Sequence, residues 1–104
     1  MASELVHSVY ILANKPNGTL YIGSTSNLKA RIKKHKQRSL RGFTEKYKVD
    51  MLVYYETVEN VVEARKKETK IKRWRREWKI ELIEKMNPEW KDLYNGFVDP
   101  ESPP

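Results

Sequence analysis

Five residues of this 104-residue chain have side chains suited to phosphate chemistry, and their spacing allows them to meet. Tyr10 and Tyr21 are eleven residues apart, Arg31 follows ten residues later, His35 lies one helical turn beyond it, and Glu68 comes further along. A guanidinium binds two phosphate oxygens at once, an imidazole transfers protons, and a carboxylate binds magnesium. The set therefore points to chemistry on a phosphate group, provided that the fold brings these side chains together.

A predicted β-hairpin carries the two tyrosines. The apolar runs Val9–Leu12 and Leu20–Ile22 flank Asn14–Gly18, a connection with the proline, asparagine and glycine that are typical of a turn. We predict strands over residues 6–13 and 19–23. Each strand then contributes one tyrosine to a small sheet.

A predicted helix over residues 27–37 carries the arginine and the histidine. The residues before it, Ser24–Asn27, are of the types that cap a helix N-terminus. Helical periodicity begins at Leu28 and places four residues on one face: Leu28, Arg31, Ile32 and His35. We therefore expect this face to lie against the side of the sheet that carries the tyrosines.

The second half of the chain predicts one more strand and mostly helix. Residues 51–56 are rich in β-forming types, and residues 39–48 are predicted to form a loop. From Asn60 the chain is predicted to be helical for about 27 residues, ending before Pro88. One apolar stripe comprises Ala64, Ile71, Trp74 and Trp78, and a second comprises Ile80, Leu82, Ile83 and Met86.

The helical pattern of apolar residues changes phase near residues 75–78, which indicates either two helices or one bent helix. A short turn over 89–94 is expected to pack Trp90 and Leu93 onto the core. We expect residues 1–97 to form a single domain and residues 98–104, with three prolines and two acids, to form a disordered tail. Since no large parallel sheet can be built from these elements, the expected class is α+β with a small three-stranded antiparallel sheet.

The positive charge of the chain is concentrated in two segments. The net charge is +7; seven of the 21 basic residues lie between Lys29 and Arg41, and nine more lie between Arg65 and Lys79. The only acids in these segments are Glu68 and Glu77. Such concentration favours a nucleic acid as partner over an anionic membrane surface, although solvated helical faces alone also carry such charge.

Composition also bears on location and on metal chemistry. The chain has no cysteine, no apolar run long enough to cross a membrane, and no signal-peptide pattern at its start, so we expect a cytoplasmic protein. With only His7 and His35 and no thiolates, a zinc site is disfavoured.

Each candidate residue also has an ordinary structural interpretation. A tyrosine in a half-buried strand is commonly a packing residue, and an arginine in a basic helix commonly faces solvent. His35 can be a boundary histidine with a local hydrogen bond. Glu68, the sole acid between Arg65 and Arg73, can form an intrahelical ion pair worth about 0.3–0.5 kcal/mol. Residue types alone leave both interpretations open.

The chain resembles the GIY-YIG nuclease family in the residues that carry these candidates. Tyr21-Ile22-Gly23 matches the second family motif, and Ser8-Val9-Tyr10 stands where the first would be, with only its tyrosine retained. Arg31 and His35 follow in order, and Ala64 with Glu68 is similar to the A-x-x-x-E of the family's metal-binding helix. The resemblance covers roughly residues 6–87 and is closest to the small single-domain bacterial branch, similar to the N-terminal domain of the excinuclease C subunit.

This resemblance implies a fold in the order β-β-α-β-α-α and a metal-dependent endonuclease acting on DNA. The substrate would be recognised by its structure or with weak sequence specificity, and the implied pathway is DNA repair or recombination. In that interpretation Tyr10 or His35 activates water, Tyr21 positions the phosphate, and Arg31 stabilises the developing charge. Glu68 would hold one Mg²⁺ or Mn²⁺ ion. The nucleic acid would contact Lys29, Lys33, Lys34, Arg38, Arg41, Thr44, Lys67 and Lys72.

Two departures from the family pattern favour a rival interpretation. The first motif is degenerate, and Ser24 occupies the position at which some members carry a lysine. A nucleic-acid-binding module that has lost catalysis is therefore the alternative. The sequence leaves open DNA against RNA, the pathway, and whether the chain forms a homodimer or has a protein partner.

Overall fold

The computed structural model describes residues 6–37 and 48–97, and it has an α+β fold. Its elements are β1 His7–Ala13, β2 Leu20–Thr25, α1 Leu28–Lys36, β3 Met51–Val58, α2 Val61–Arg73, α3 Arg76–Met86 and the single turn α4 Tyr94–Phe97. The predicted class and the order β-β-α-β-α-α are thus confirmed, with α4 added at the end. The predicted tail and all but Lys48 of the predicted loop 39–48 lie outside the described residues.

The three strands form one antiparallel sheet in the order β2-β1-β3, so that β1 is central. The predicted hairpin connects β1 and β2. In its turn Asn17 has a positive φ of 59°, a conformation that asparagine tolerates better than most residues, and the Gly18 amide donates to the Lys15 carbonyl at 2.9 Å. This turn fixes the register in which Tyr10 lies opposite Gly23.

Two strands are longer than predicted. The second strand was expected to end at Gly23, yet Ser24 and Thr25 continue it by pairing with Val9 and Ser8. The third strand likewise extends to Val58, which pairs with His7. Both extensions pair with the central strand, and Thr25, Thr57 and Val58 are themselves residue types that favour strands.

Both faces of the sheet are covered. Val9, Ile11 and Ala13 of β1 point to one face and pack with Ala64 and Ile71 of α2 and with residues of α3. Tyr10 and Leu12 point to the opposite face and pack with Ile32 of α1. Because successive side chains of a strand alternate, the central strand supplies both cores, and the candidate tyrosines lie on the α1 side.

The long predicted helical segment is two helices. Trp74 and Arg75 both adopt extended backbone, with ψ of 151° and 160°, and this break separates α2 from α3. The break changes the direction in which the apolar stripes point. Trp78, expected beside Trp74 on the core stripe, is consequently 47% exposed, and Met86 is 43% exposed.

Polar side chains define the beginning of α1 and α2. The Oδ1 atom of Asn27 accepts from the Ala30 amide at 3.2 Å, and that of Asn60 accepts from the Glu63 amide at 2.9 Å. These are the N-cap bonds that satisfy otherwise unpaired amides of a first turn. The cap at Asn27 places Arg31 and His35 on the turn and face that meet the sheet.

The segment after α3 returns to β3. The Asn87 side-chain amide donates to the Val53 carbonyl at 3.1 Å, and the Leu93 amide donates to the Leu52 carbonyl at 2.7 Å. The Leu52 amide in turn donates to Asp92 Oδ1 at 3.1 Å, while Asp92 also pairs with Lys36 of α1. As predicted, the segment also packs Trp90 and Leu93 onto the two cores.

Among the described residues, no helix has the length and apolar character needed to cross a membrane.

Candidate active site

Three aromatic rings from three elements meet on the α1 side of the sheet. The ring centroids of Tyr10 and Tyr21 are 6.4 Å apart, those of Tyr10 and His35 are 6.0 Å apart, and those of Tyr21 and His35 are 5.6 Å apart. The Tyr10 hydroxyl lies 3.3 Å from His35 Nε2, at hydrogen-bonding distance. The fold therefore brings the three aromatic candidates into direct contact with one another.

Gly23 makes room for this cluster. It lies directly opposite Tyr10 in the β1–β2 register, and the tyrosine ring leans across it. A Cβ atom at position 23 would be 2.5 Å from the Tyr10 hydroxyl oxygen and 2.7 Å from Cζ. Both distances are far below van der Waals contact, so the glycine is required by the position of the Tyr10 ring.

Gly23→Ala is therefore expected to displace the Tyr10 ring and break its contact with His35. Overpacking of this kind typically costs about 1–3 kcal/mol of folding free energy. Urea unfolding of the variant, with the free energy compared with that of the wild-type protein, measures the effect.

A double-mutant cycle provides the control for Gly23→Ala. In a Tyr10→Leu background the shorter side chain no longer extends over position 23, so the same glycine substitution should cost much less. Equal costs in the two backgrounds would show that the Tyr10 ring is not the reason for the glycine.

The residues of the cluster differ in their access to solvent. Tyr10 is 1% exposed and His35 is 4% exposed, whereas Tyr21 and Arg31 are both partly exposed. Burial and the neighbouring Tyr21 raise the pKa of Tyr10, and this outweighs the opposing effect of Arg31, whose side chain hydrogen-bonds the hydroxyl. Tyr10 is therefore a buried, neutral phenol that packs beneath the exposed residues of the site. Tyr21 and Arg31 are the groups that a substrate can reach.

Burial also lowers the pKa of His35 to about 4, and the positive charge of Arg31 acts in the same direction. Asp50 opposes the shift, but only in part. His35 is thus neutral at pH 7, and its imidazole is available as a hydrogen-bond partner rather than as a cation.

The His35 shift predicts a loss of stability in acid. A histidine titrates near 6.5 in the unfolded chain, so between pH 6.5 and 4 the unfolded state binds a proton that the folded state does not. The stabilisation that comes from neutral His35 should be fully present above pH 6.5. The free energy of unfolding should then fall by roughly 3 kcal/mol as the pH is lowered from 6.5 to 4. Unfolding free energies measured in urea over this range test the expectation.

His35→Gln should flatten that part of the profile, because glutamine does not titrate. His7→Gln, at the other histidine, is the matched control and should leave the His35 component in place. If His35→Gln retains the full dependence between pH 4 and 6.5, other groups are responsible for it.

Glu68 reaches the site from α2, at the end of β2. The Ser24 hydroxyl donates to Glu68 Oε1 at 2.6 Å, and the Lys72 ammonium lies 2.8 Å from Oε2. Burial by itself raises the pKa of this carboxyl, but the hydrogen bonds from Lys72 and Ser24 outweigh it and give a net lowering. Glu68 is therefore an ionised carboxylate, and its charge contributes to the raised pKa of Tyr10.

The surroundings of Glu68 fit one kind of metal site. No group of three or more His, Cys, Asp or Glu side chains that could hold a metal occurs among residues 6–37 and 48–97. Magnesium, however, is commonly bound through one or two carboxylates, with waters and substrate phosphates completing its shell. A half-buried, ionised glutamate suits that arrangement, and Lys72 would have to release Oε2 for it.

The proposed nucleic-acid contacts fall into three groups. Lys29, Lys33 and Lys34 are exposed on α1. Lys67 instead pairs with Glu56 at 3.2 Å, and Lys72 pairs with Glu68, so both have acidic partners within the fold. Three further candidates, Arg38, Arg41 and Thr44, lie outside the described residues.

Sequence reasoning did not identify Ser24 as a partner of the site. The sequence indicated Ser24 only as one of several capping residues and as the position at which some family members carry a lysine, whereas in the structure its hydroxyl donates to Glu68, 44 positions away. No local pattern signals such a long-range contact.

The chain is similar in sequence and in fold to known proteins. The sequence model of the GIY-YIG catalytic domain matches residues 6–81. UPF0213 protein SH2523 of Staphylococcus haemolyticus is 37% identical over 78 residues, which are 75% of this chain and 94% of that protein. UPF0213 protein SA0446 of Staphylococcus aureus is 36% identical over 77 residues, 74% of this chain and 93% of that protein. The solution NMR structure of UPF0213 protein BH0048 from Bacillus halodurans has a TM-score of 0.53 and 27% identity, covering 86% of this chain and 94% of that one.

Proposed function

The chain belongs to the GIY-YIG family, whose domains are generally nucleases, and from this premise we propose that it is an endonuclease that hydrolyses phosphodiester bonds in DNA. The observation that carries the proposal is the meeting of Tyr10, Tyr21 and His35 beside Arg31, with the ionised Glu68 at the end of the same strand pair. Packing alone does not require a guanidinium and a carboxylate at the margin of an aromatic cluster.

Solvent access supports one division of roles within the cluster. Tyr21 and Arg31 are partly exposed, so Tyr21 accepts a hydrogen bond from the attacking water, whose proton is released to solvent at this open side of the site. Arg31 binds the phosphate oxygens on which negative charge develops. Tyr10 and His35 are buried and act as positioning residues, since a raised tyrosine pKa and a histidine pKa of about 4 make both poor proton acceptors at pH 7. This proposal differs from the sequence-based hypothesis, which gave water activation to Tyr10 or His35.

Glu68 would hold a divalent cation, most simply Mg²⁺, against the scissile phosphate. When bound, such an ion supplies positive charge to the phosphate and lowers the pKa of coordinated water. The part played by the chain is to keep Glu68 ionised and oriented, and the hydrogen bond from Ser24 serves that end. The exposed lysines 29, 33 and 34 would contact the backbone, which positions the substrate without reading its sequence.

The direct test is incubation of the purified protein with branched, nicked and single-stranded DNA, in Mg²⁺ or in chelator. Cleavage that requires the metal supports the proposal. Repeating the cleavage assay with the same structures made of RNA shows which nucleic acid is preferred.

One observation favours the rival function, a binding module without catalysis. Both carboxylate oxygens of Glu68 are already engaged, one by Ser24 and one by Lys72, as in a purely structural ion pair. A wild-type protein that binds these substrates but cleaves none of them under any metal condition would support this alternative.

A further inference from the structure

Trp78 presents a large aromatic surface to solvent. It is the first-turn tryptophan of α3 and is 47% exposed. The Arg75 guanidinium lies 4.9 Å from the centroid of its ring, and Trp74 packs against it edge-to-face with centroids 6.2 Å apart. Arg75 therefore occupies one face of the ring, and the two neighbours hold the orientation of Trp78 while leaving it about half exposed.

A basic surface leads to this aromatic pair. The solvent-facing side of α2 forms a shallow groove lined by Val62, Arg65, Lys66, Thr69, Lys70, Arg73 and Trp74. Four of these residues are cationic and none is acidic. Arg65 and Arg73 are eight residues apart, which is about 12 Å along a helix and long enough to contact more than one phosphate of a strand.

The basic groove continues into a second groove that contains Trp78. Trp74 lines both, and the second is completed by Trp78, Glu81, Leu82 and Lys85. Beyond Trp78 the surface becomes acidic, because Glu77, Glu81 and Glu84 line the next depression along α3. Because Lys66 also faces Glu63 at 3.8 Å, the cations that attract a polyanion along α2 toward Trp78 are mainly Arg65, Lys70 and Arg73. The acids beyond Trp78 repel it.

We propose that this surface binds an unpaired nucleic-acid strand, with phosphates along the basic side of α2 and a base stacked on Trp78. Basic residues that follow a backbone, combined with an exposed aromatic ring on which a base can stack, are the features of single-strand recognition. In the interior of a duplex each base is stacked on both faces, so only the pairs at the two ends offer a free face. The inference rests on the proposed action on nucleic acid and deepens it, because it names substrates with a single-stranded segment as the preferred class.

The surface is separate from the candidate active site. The groove residues of α2 face away from the sheet, whereas Ala64 and Ile71 of the same helix are buried against it and Glu68 points to Ser24. Binding through Trp78 can therefore be measured without cleavage.

The experiment uses the full chain carrying Glu68→Gln, in chelator, with a 20-nucleotide oligothymidylate and a blunt duplex as probes. Fluorescence anisotropy gives the affinity, and quenching of tryptophan emission reports stacking directly. We expect oligothymidylate to quench the emission, and Trp78→Ala to remove most of the quenching and weaken single-strand binding about tenfold. Duplex affinity should change less than twofold.

Two further variants serve as controls. Trp78→Phe retains a ring and should keep most of the single-strand affinity. Met86→Ala removes another exposed apolar side chain of α3, which is 43% exposed, and should leave both affinities unchanged. Because Trp78 is about half exposed, Trp78→Ala is expected to fold, and circular dichroism verifies this. If Trp78→Ala does not fold, Trp78→Phe tests the same position with a smaller change.

Unchanged oligothymidylate affinity in the Trp78→Ala variant would overturn the inference, as would equal losses for single strand and duplex. A wild-type oligomer in sedimentation that dissociates on Trp78→Ala, with unchanged nucleic-acid affinity, would likewise overturn it and assign the surface to contact between copies. The proposed nuclease function fails independently, if wild-type protein with Mg²⁺ cleaves nothing while Trp78-dependent quenching persists.

Discussion

Glu68→Gln is expected to abolish Mg²⁺-dependent cleavage while leaving DNA affinity in chelator unchanged or higher. The substitution keeps the size and helix preference of the side chain and removes its charge. The loss of charge removes the carboxylate that is proposed to hold the metal ion. It also removes a negative charge that opposes a polyanion. Gel-based cleavage in Mg²⁺ and anisotropy in chelator measure the two effects separately.

Glu63→Gln is the matched control for this experiment. Glu63 also lies on α2, but it is exposed and its carboxylate faces Lys66 at 3.8 Å, away from Ser24. Its substitution should leave cleavage intact. If Glu68 served only its ion pair with Lys72, Glu68→Gln would cost about 0.3–0.5 kcal/mol of stability and cleavage would persist. Such persistence in a folded variant contradicts the metal-site assignment.

Arg31→Ala is expected to lower kcat by about 10²–10³-fold, the typical cost of removing one group that stabilises transition-state charge. Arg31 is partly exposed beside Tyr10 and His35, where its guanidinium can reach a phosphate. Arg31→Lys keeps the charge but loses bidentate binding of the phosphate, so its kcat should lie between those of the wild type and of Arg31→Ala. Single-turnover cleavage at saturating protein isolates this effect from binding.

Lys34→Ala, on the same helix, gives the comparison. Lys34 is exposed and its proposed role is contact with the backbone, so its loss should weaken affinity without lowering the single-turnover rate. If Arg31→Ala behaves in the same way, Arg31 is a backbone contact and has no part in the chemical step.

The parts of the structure that the sequence predicted well are those specified by short-range patterns. The hairpin depends on the turn at Pro16 and Asn17, and α1 on its cap at Asn27, so both were identifiable from neighbouring residues. The shared face of Arg31 and His35 follows from helical periodicity alone. These features are sufficient to bring the tyrosines, arginine and histidine to one face of the sheet.

The parts that could not be predicted depend on distant contacts. Nothing local to Tyr10 indicates that its hydroxyl is buried over Gly23, or that Ser24 bonds to Glu68. The exposure of Trp78 follows from the break at Trp74 and Arg75. The periodicity of the sequence indicated where the helix changes, but not the direction that the second helix takes. Lys67 was assigned to nucleic acid because it is basic, yet its ion pair with Glu56 of β3 is visible only in three dimensions.

The return of the chain to β3 has a consequence for how the protein can be shortened. β3 is an outer strand of the sheet, and Leu52 and Val53 bond on that side to Asn87, Asp92 and Leu93. The family match ends at residue 81, before these partners. A fragment cut at that boundary would leave an open strand edge, which is a template for pairing between molecules, and would therefore be prone to aggregate.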